Sequence, residues 1–171
     1  MRDVLQRWNM LDAAAATREV LPCCGSQAWA AGLAGLRPVS DAETLLARSD
    51  TVWFELPVEA WQEAFDSHPR IGRMHAEKAA TAESLAWSAR EQKSAVSNDE
   101  AVKQALAASN ARYEAKFGRI FIVCASGRSA AEILANLEGR MGNDAAVELR
   151  EAAEQQRQIT HLRLRRWLNS E

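Results

Sequence analysis

The sequence predicts an all-α fold: a single-domain bundle of about eight helices over residues 1–171, with one short extended segment. Three observations predict it. Alanine, leucine, glutamate, glutamine and arginine are abundant, and these are good helix formers. Capping residues and Gly or Pro breakers punctuate the chain from end to end. The one strand-like run, Ile120–Ala125, has no evident pairing partner, and a lone strand is not stable.

In order along the chain, Asn9 is read as the cap of a helix through Asp12 to about Leu21, ended by Pro22 and Gly25. Ser26 caps the next, through Trp29 to Leu33, with Gly35 and Pro38 beyond it. Ser40-Asp-Ala-Glu43 has the pattern of a capping box and opens a third. Pro57 starts a fourth that ends at His68-Pro69. A long fifth helix is expected from His75 to about Ala95. Asn98 or Asp99 caps a sixth, carrying Val102, Leu106, Tyr113 and Phe117 and stopping at Gly118. The apolar run Ile120–Ala125 reads as a buried extended connection. Ser126 or Ser129 then caps a helix to about Met141, Gly142-Asn143 breaks it, and Asp144 caps the last and longest, to about Leu168. No linker, repeat or low-complexity tract divides the chain.

Composition narrows the function classes. Hydrophobic residues are 47% and charged residues 26%, ordinary for a soluble globular chain. A net charge of -2 argues against nucleic-acid binding, although Arg163-Leu-Arg-Arg-Trp167 is locally basic. No apolar run approaches a membrane span, and Met1–Trp8 lacks the pattern of a secretory signal. The cysteines, Cys23, Cys24 and Cys124, are odd in number with two adjacent. That is no disulfide framework, and a cytoplasmic location is expected. His68, His75 and His161 show no ligand spacing, so no metal is expected.

Ser67-His68-Pro69-Arg70-Ile71-Gly72 is the most informative segment. Proline disfavours the α conformation at the residue before it, so His68 is expected extended at a helix end, its imidazole held off the helix body. Histidine titrates nearest neutral pH, which suits proton transfer. The ordinary alternative is a helix-ending turn with a surface histidine. Ser88, Glu91 and Gln92 stand at i, i+3 and i+4, on one helix face, either a solvated face or a polar ligand site. On the last helix Ala145, Leu149, Ala152, Gln156, Ile159, Arg163 and Trp167 form one inward stripe. Arg163 interrupts it, and a buried arginine needs an anion, from the protein or from a substrate carboxylate. Ser126-Gly127-Arg128-Ser129 beside a helix start offers main-chain N–H groups, a nonspecific signal.

Taken together, these pieces resemble a known family. Asn9, Leu11, Cys24-Gly25-Ser26, Trp29, Arg37-Pro38 and Ala64-Phe65 come first, followed by His68-Pro-Arg-Ile-Gly72, Ser88 and Glu91-Gln92. Asn110, Tyr113, Lys116-Phe-Gly118, Phe121–Ala125, Arg140, Asn143 and Leu162-Arg163-Leu164 complete the pattern. Their order and spacing resemble the 2-oxo-4-hydroxy-4-carboxy-5-ureidoimidazoline (OHCU) decarboxylases of urate breakdown, over nearly the whole chain. Lys93-Ser94 departs from the smaller, often glycine-containing residues expected after Glu-Gln, which touches the rim of the pocket.

The resemblance implies a single all-helical OHCU decarboxylase-like domain that turns OHCU into (S)-allantoin and CO2. It implies a homodimer with no metal or organic cofactor. It also implies His68 as catalytic acid/base, with Glu91 and Arg163 catalytic beside it. Pro69, Ser88, Gln92 and the backbone of Phe121, Ile122, Val123, Cys124 and Ala125 would line the substrate site. Glu91 either binds ureido N–H groups or orients His68. The alternative is a non-enzymatic helical module that binds an acidic metabolite or partner protein through the Arg-rich last helix. A DNA-binding regulator is disfavoured by the acidity.

Overall fold

The computed structural model describes residues 2–72 and 80–170. Among them the chain is all-helical, with nine α-helices and no strand. These are α1 (Arg2–Met10), α2 (Ala13–Cys24), α3 (Gln27–Gly35), α4 (Ala42–Glu55), α5 (Val58–Asp66), α6 (Ala82–Glu91), α7 (Glu100–Phe117), α8 (Ala130–Arg140) and α9 (Ala145–Leu168). A single 3-10 turn, Lys93–Ala95, follows α6. The chain divides into two compact units, Met1–Ala64 with Arg157–Glu171, and Phe65–Gln156. None of the described helices is long and apolar enough to cross a membrane.

Several helix starts move by a residue or more from the sequence reading. Asn9 does not cap a helix. It sits inside α1, and its side chain bonds the main chain of Val39, donating to the carbonyl at 2.8 Å and accepting from the N–H at 3.0 Å. Asp12 caps α2 instead, accepting from Ala15 N at 2.8 Å. At α4 the cap is Asp41 rather than Ser40, and Ser40 donates its hydroxyl to that carboxylate. These bonds hold the Asp41 carboxyl down at about 2. Thr81 caps α6, so this helix begins later than expected, and His75 lies outside the described residues. Asp99, Ser129 and Asp144 cap α7, α8 and α9 as expected.

In the unit formed by the two chain ends, tryptophans make the core. Trp8, Trp29 and Trp53 are buried. Their neighbours answer the indole N–H groups: Trp8 donates to Ala16 O, Trp29 to Ser49 Oγ and Trp61 to Trp53 O. Trp167 meets Trp8 edge to face at 5.6 Å. A buried indole N–H usually finds an acceptor, and those of Trp8 and Trp29 do. The inward stripe of α9 is buried from Ala152 onward, through Gln156, Ile159, Arg163 and Trp167, whereas Ala145 is exposed.

In the unit Phe65–Gln156, α7 and α8 enclose a second core of Leu106, Tyr113, Phe117, Phe121, Val123, Ile133 and Leu137. Gly118, at φ +68°, ends α7 and turns the chain into the non-helical run 120–125. A buried ion pair, Arg140 with Glu148, lies against this core. Glu148 is fully buried and accepts from Tyr113 Oη, from Arg140 Nε at 2.9 Å and from Asn143 Nδ2 at 2.9 Å. Arg140 uses Nη1 on the Ile122 carbonyl at 2.7 Å, and its guanidinium lies 4.6 Å from the Phe121 ring centroid. Burial, then the bond to Glu148, pushes the Tyr113 phenol above its ordinary range.

Two predictions follow from these cores. Glu148→Gln leaves the Arg140 charge buried without a counter-charge and should cost about 3–5 kcal/mol in a denaturant melt; a loss under about 1 kcal/mol would contradict the network. Burial raises the Cys24 thiol to about 12. A thiolate-seeking reagent at pH 8 should therefore modify half-buried Cys124 well before Cys24 in the native protein. Equal rates would overturn that ordering.

Candidate active site

The segment after α5 behaves as the proline rule requires. The helix stops at Asp66, and Ser67, His68 and Pro69 follow as buried residues outside it. His68 is 8% exposed, so it is not a surface histidine at a helix end. Its Nε2 lies 2.8 Å from Gln156 Oε1 on α9, and Gln156 is itself fully buried. With an amide oxygen facing the ring, Nε2 carries hydrogen. That bond fixes the ring's orientation.

The rest of the His-Pro-Arg-Ile-Gly turn is tied down residue by residue. Arg70 forks onto Glu114 of α7, Nη2 to Oε2 at 2.7 Å. Gly72 takes φ +85° and donates its N–H to Gln92 Oε1 at 3.0 Å. That bond joins the turn to the end of α6, twenty residues on in sequence. The buried residues of α6 are Ser84, Ser88 and Glu91, all polar, so the Ser88–Glu91 face is not solvated. Gln92 stands half-buried just past the helix end, and Trp87 is also half-buried. A helix that buries only polar side chains needs polar partners, since unpaired burial costs free energy.

The run Phe121–Ala125 is held from α8 and α9. Arg140 takes the Ile122 carbonyl, and Gln155 Oε1 accepts the Cys124 N–H at 2.9 Å. Gln155 and Gln156 are consecutive on α9. One fixes the 121–125 main chain and the other fixes His68, so this short stretch of helix registers both against each other. A cleft of about 510 Å³ is lined by Gly72, Gln92, Arg70, Glu114 and Asn110 among others. Of the expected site residues Gln92 alone is in its described lining.

At the helix start after Ser126-Gly127 two main-chain donors are taken up within the chain. Ser129 N–H donates to Glu132 and Glu132 N–H to Ser129, a closed capping box. Arg163 belongs to the other unit, fully buried, with Nη1 donating to Pro22 O at 3.3 Å and its charge acting on Cys24. His161 Nε2 lies 2.6 Å from Asp50 Oδ1. Among the described residues no cluster of His, Cys, Asp or Glu is arranged to hold a metal ion.

Sequence reasoning did not single out Gln155 or Gln156. Gln156 was visible as an amide in an otherwise apolar stripe, the same signal that drew attention to Arg163.

Comparison with known proteins bears on the whole arrangement. The chain is 39% identical over 144 residues to the uric acid degradation bifunctional protein TTL of Arabidopsis thaliana, covering 83% of this chain and 44% of that protein. It thus spans less than half that relative's length. A crystal structure of an OHCU decarboxylase in the presence of (S)-allantoin superposes with a TM-score of 0.76 at 34% identity, covering 89% of this chain and 98% of the other. A crystal structure of (S)-allantoin synthase shares the fold, with a TM-score of 0.71 at 16% identity over 95% of this chain and 53% of that one. The OHCU decarboxylase family model matches residues 9–165, and the chain belongs to the OHCU decarboxylase family.

Proposed function

We propose that this protein decarboxylates OHCU to (S)-allantoin and CO2, acting on urate-derived substrate in the cytoplasm as a homodimeric, cofactor-independent carboxy-lyase built on one domain, residues 1–171. The observation that carries the reading is the buried His68 imidazole, fixed by Gln156 one residue along α9 from the glutamine that fixes the 121–125 main chain. The family match and the OHCU decarboxylase structure at 34% identity support the substrate class.

The chemistry asks little beyond positioning. In OHCU the carbon bearing the carboxylate also bears a hydroxyl, and its ring neighbour is an imine carbon. When the carbon–carboxylate bond breaks, its electron pair forms a double bond between the two ring carbons, and the imine nitrogen takes a proton. The hydroxyl proton then leaves as the ring carbonyl forms, and the ureido-bearing carbon is protonated. The substrate supplies its own electron sink, the role organic cofactors fill elsewhere. The protein must orient the carboxylate, move protons and protonate one face.

In this reading His68 moves the proton on or off the hydroxyl or ring carbon. Pro69 stiffens it, and Glu91 binds ureido N–H groups or orients the imidazole. Ser88 and Gln92 read the remaining polar atoms, and the backbone of Phe121, Ile122, Val123, Cys124 and Ala125 holds ring groups. Arg163 comes from the family pattern, with the role of offsetting substrate charge.

His68→Ala should lose stereoselective turnover by about 100- to 10,000-fold with the helical circular-dichroism spectrum intact. Substrate generated in situ from urate, followed by the optical signal of one allantoin enantiomer, measures it, and full activity in the variant would refute the assignment. Gln156→Leu keeps the volume and deletes the amide. It should lower kcat about tenfold, the equivalent of one hydrogen bond, and an unchanged kcat would show that the amide does not orient the ring.

A further inference from the structure

Three residues of the 121–125 run carry a geometric consequence. The peptide bonds on both sides of Val123 are trans, since the described chain has its one cis bond at Arg37-Pro38. In a planar trans peptide the C=O and N–H point in opposite directions. Arg140 Nη1 holds the Ile122 carbonyl at 2.7 Å, so the N–H of Val123, on the same peptide, is turned away from Arg140. Gln155 Oε1 holds the Cys124 N–H at 2.9 Å, so the carbonyl of Val123 is turned away from Gln155. Val123 is 4% exposed, and neither of its main-chain groups takes a hydrogen bond among the described residues. Buried main-chain groups are almost always paired, so a donor and an acceptor left together in this way call for a partner from outside the chain.

We propose that Gln155 and Arg140 are positioning residues: they clamp the two peptides flanking Val123 so that its N–H and C=O present a fixed donor–acceptor pair to a cyclic ureide, a ring in which C=O and N–H stand side by side. The assignment rests on the decarboxylase reading above and adds the groups that aim its main-chain contacts. Each clamp is itself anchored. Arg140 is locked by Glu148, and Gln155 donates its Nε2 to Glu151 Oε1 at 2.9 Å. Neither side chain needs to touch the substrate.

Gln155→Met keeps the length and apolar stem and deletes the acceptor. Contacts made equally in the ground and transition states affect KM rather than kcat. The variant should therefore raise KM for in-situ-generated OHCU about tenfold, with kcat within about threefold and the melting temperature within a few degrees. The exchange Glu151→Gln with Gln155→Glu swaps the roles of the pair while keeping an acceptor for Cys124, and should return KM to within about twofold of wild type. A wild-type KM in Gln155→Met overturns the assignment, as does an exchange variant no better than Gln155→Met. His68→Ala run alongside separates the two levels. If the wild type turns over, His68→Ala does not, and Gln155→Met keeps its KM, positioning alone is wrong. If the wild type leaves the slow racemic decay unchanged, the decarboxylase reading falls and the positioning role with it.

Discussion

The buried carboxylate of Glu148 is the constraint around which the unit Phe65–Gln156 is built. It draws donors from three places, the hydroxyl of Tyr113 on α7, the guanidinium of Arg140 on α8 and the amide of Asn143 in the α8–α9 turn. Stability alone does not require an ion pair here, because a well-packed apolar cluster of the same volume is often as stable or more so. What apolar side chains cannot supply is direction. Arg140 is pinned by Glu148 and by the Phe121 ring, and a pinned guanidinium can hold the Ile122 carbonyl along one line. The network turns the cost of burying charge into a main-chain run with a defined orientation.

The same logic explains why α9 carries amides where apolar residues would pack more easily. Gln155 and Gln156 are neighbours on a helix, so their side chains leave it about 100° apart. That angular separation lets one reach the Cys124 N–H and the other the His68 ring. A rigid helix thereby sets the relation between the His68 imidazole and a row of peptide dipoles, which loop flexibility on its own would blur.

Much of this was legible from local chemistry, and what was not has identifiable causes. The all-α class, the stop of α5 before His68-Pro69 and the caps at Ser26, Asp99, Ser129 and Asp144 follow from rules that act within four residues. Asn9 misled because its side chain serves Val39, thirty residues away, and no local pattern reports such a bond. Ser40 and Asp41 are both good caps side by side, and the carboxylate took the position. Glu148 and Ser84 were invisible for a different reason. A polar residue near a helix start reads as solvated, and only the packed structure shows that it is inside.

The polar inner face of α6 makes sense on the same terms. The proposed reaction, whose substrate holds its own electron sink, asks the protein for hydrogen-bonding groups shielded from water rather than for a reactive prosthetic group. Shielding needs burial, and burial of Ser88 and Glu91 is tolerable only where polar partners are close. The Gly72–Gln92 bond brings the end of that helix to the histidine-bearing turn, and Gln156 holds the histidine itself. The sequence scatters these groups over almost ninety positions, with His68 and Gln156 at |i−j| of 88. On the proposed decarboxylase reading, specificity for one face of a planar intermediate depends on how firmly each bond is held, because an intermediate free to tilt would accept the proton from either side.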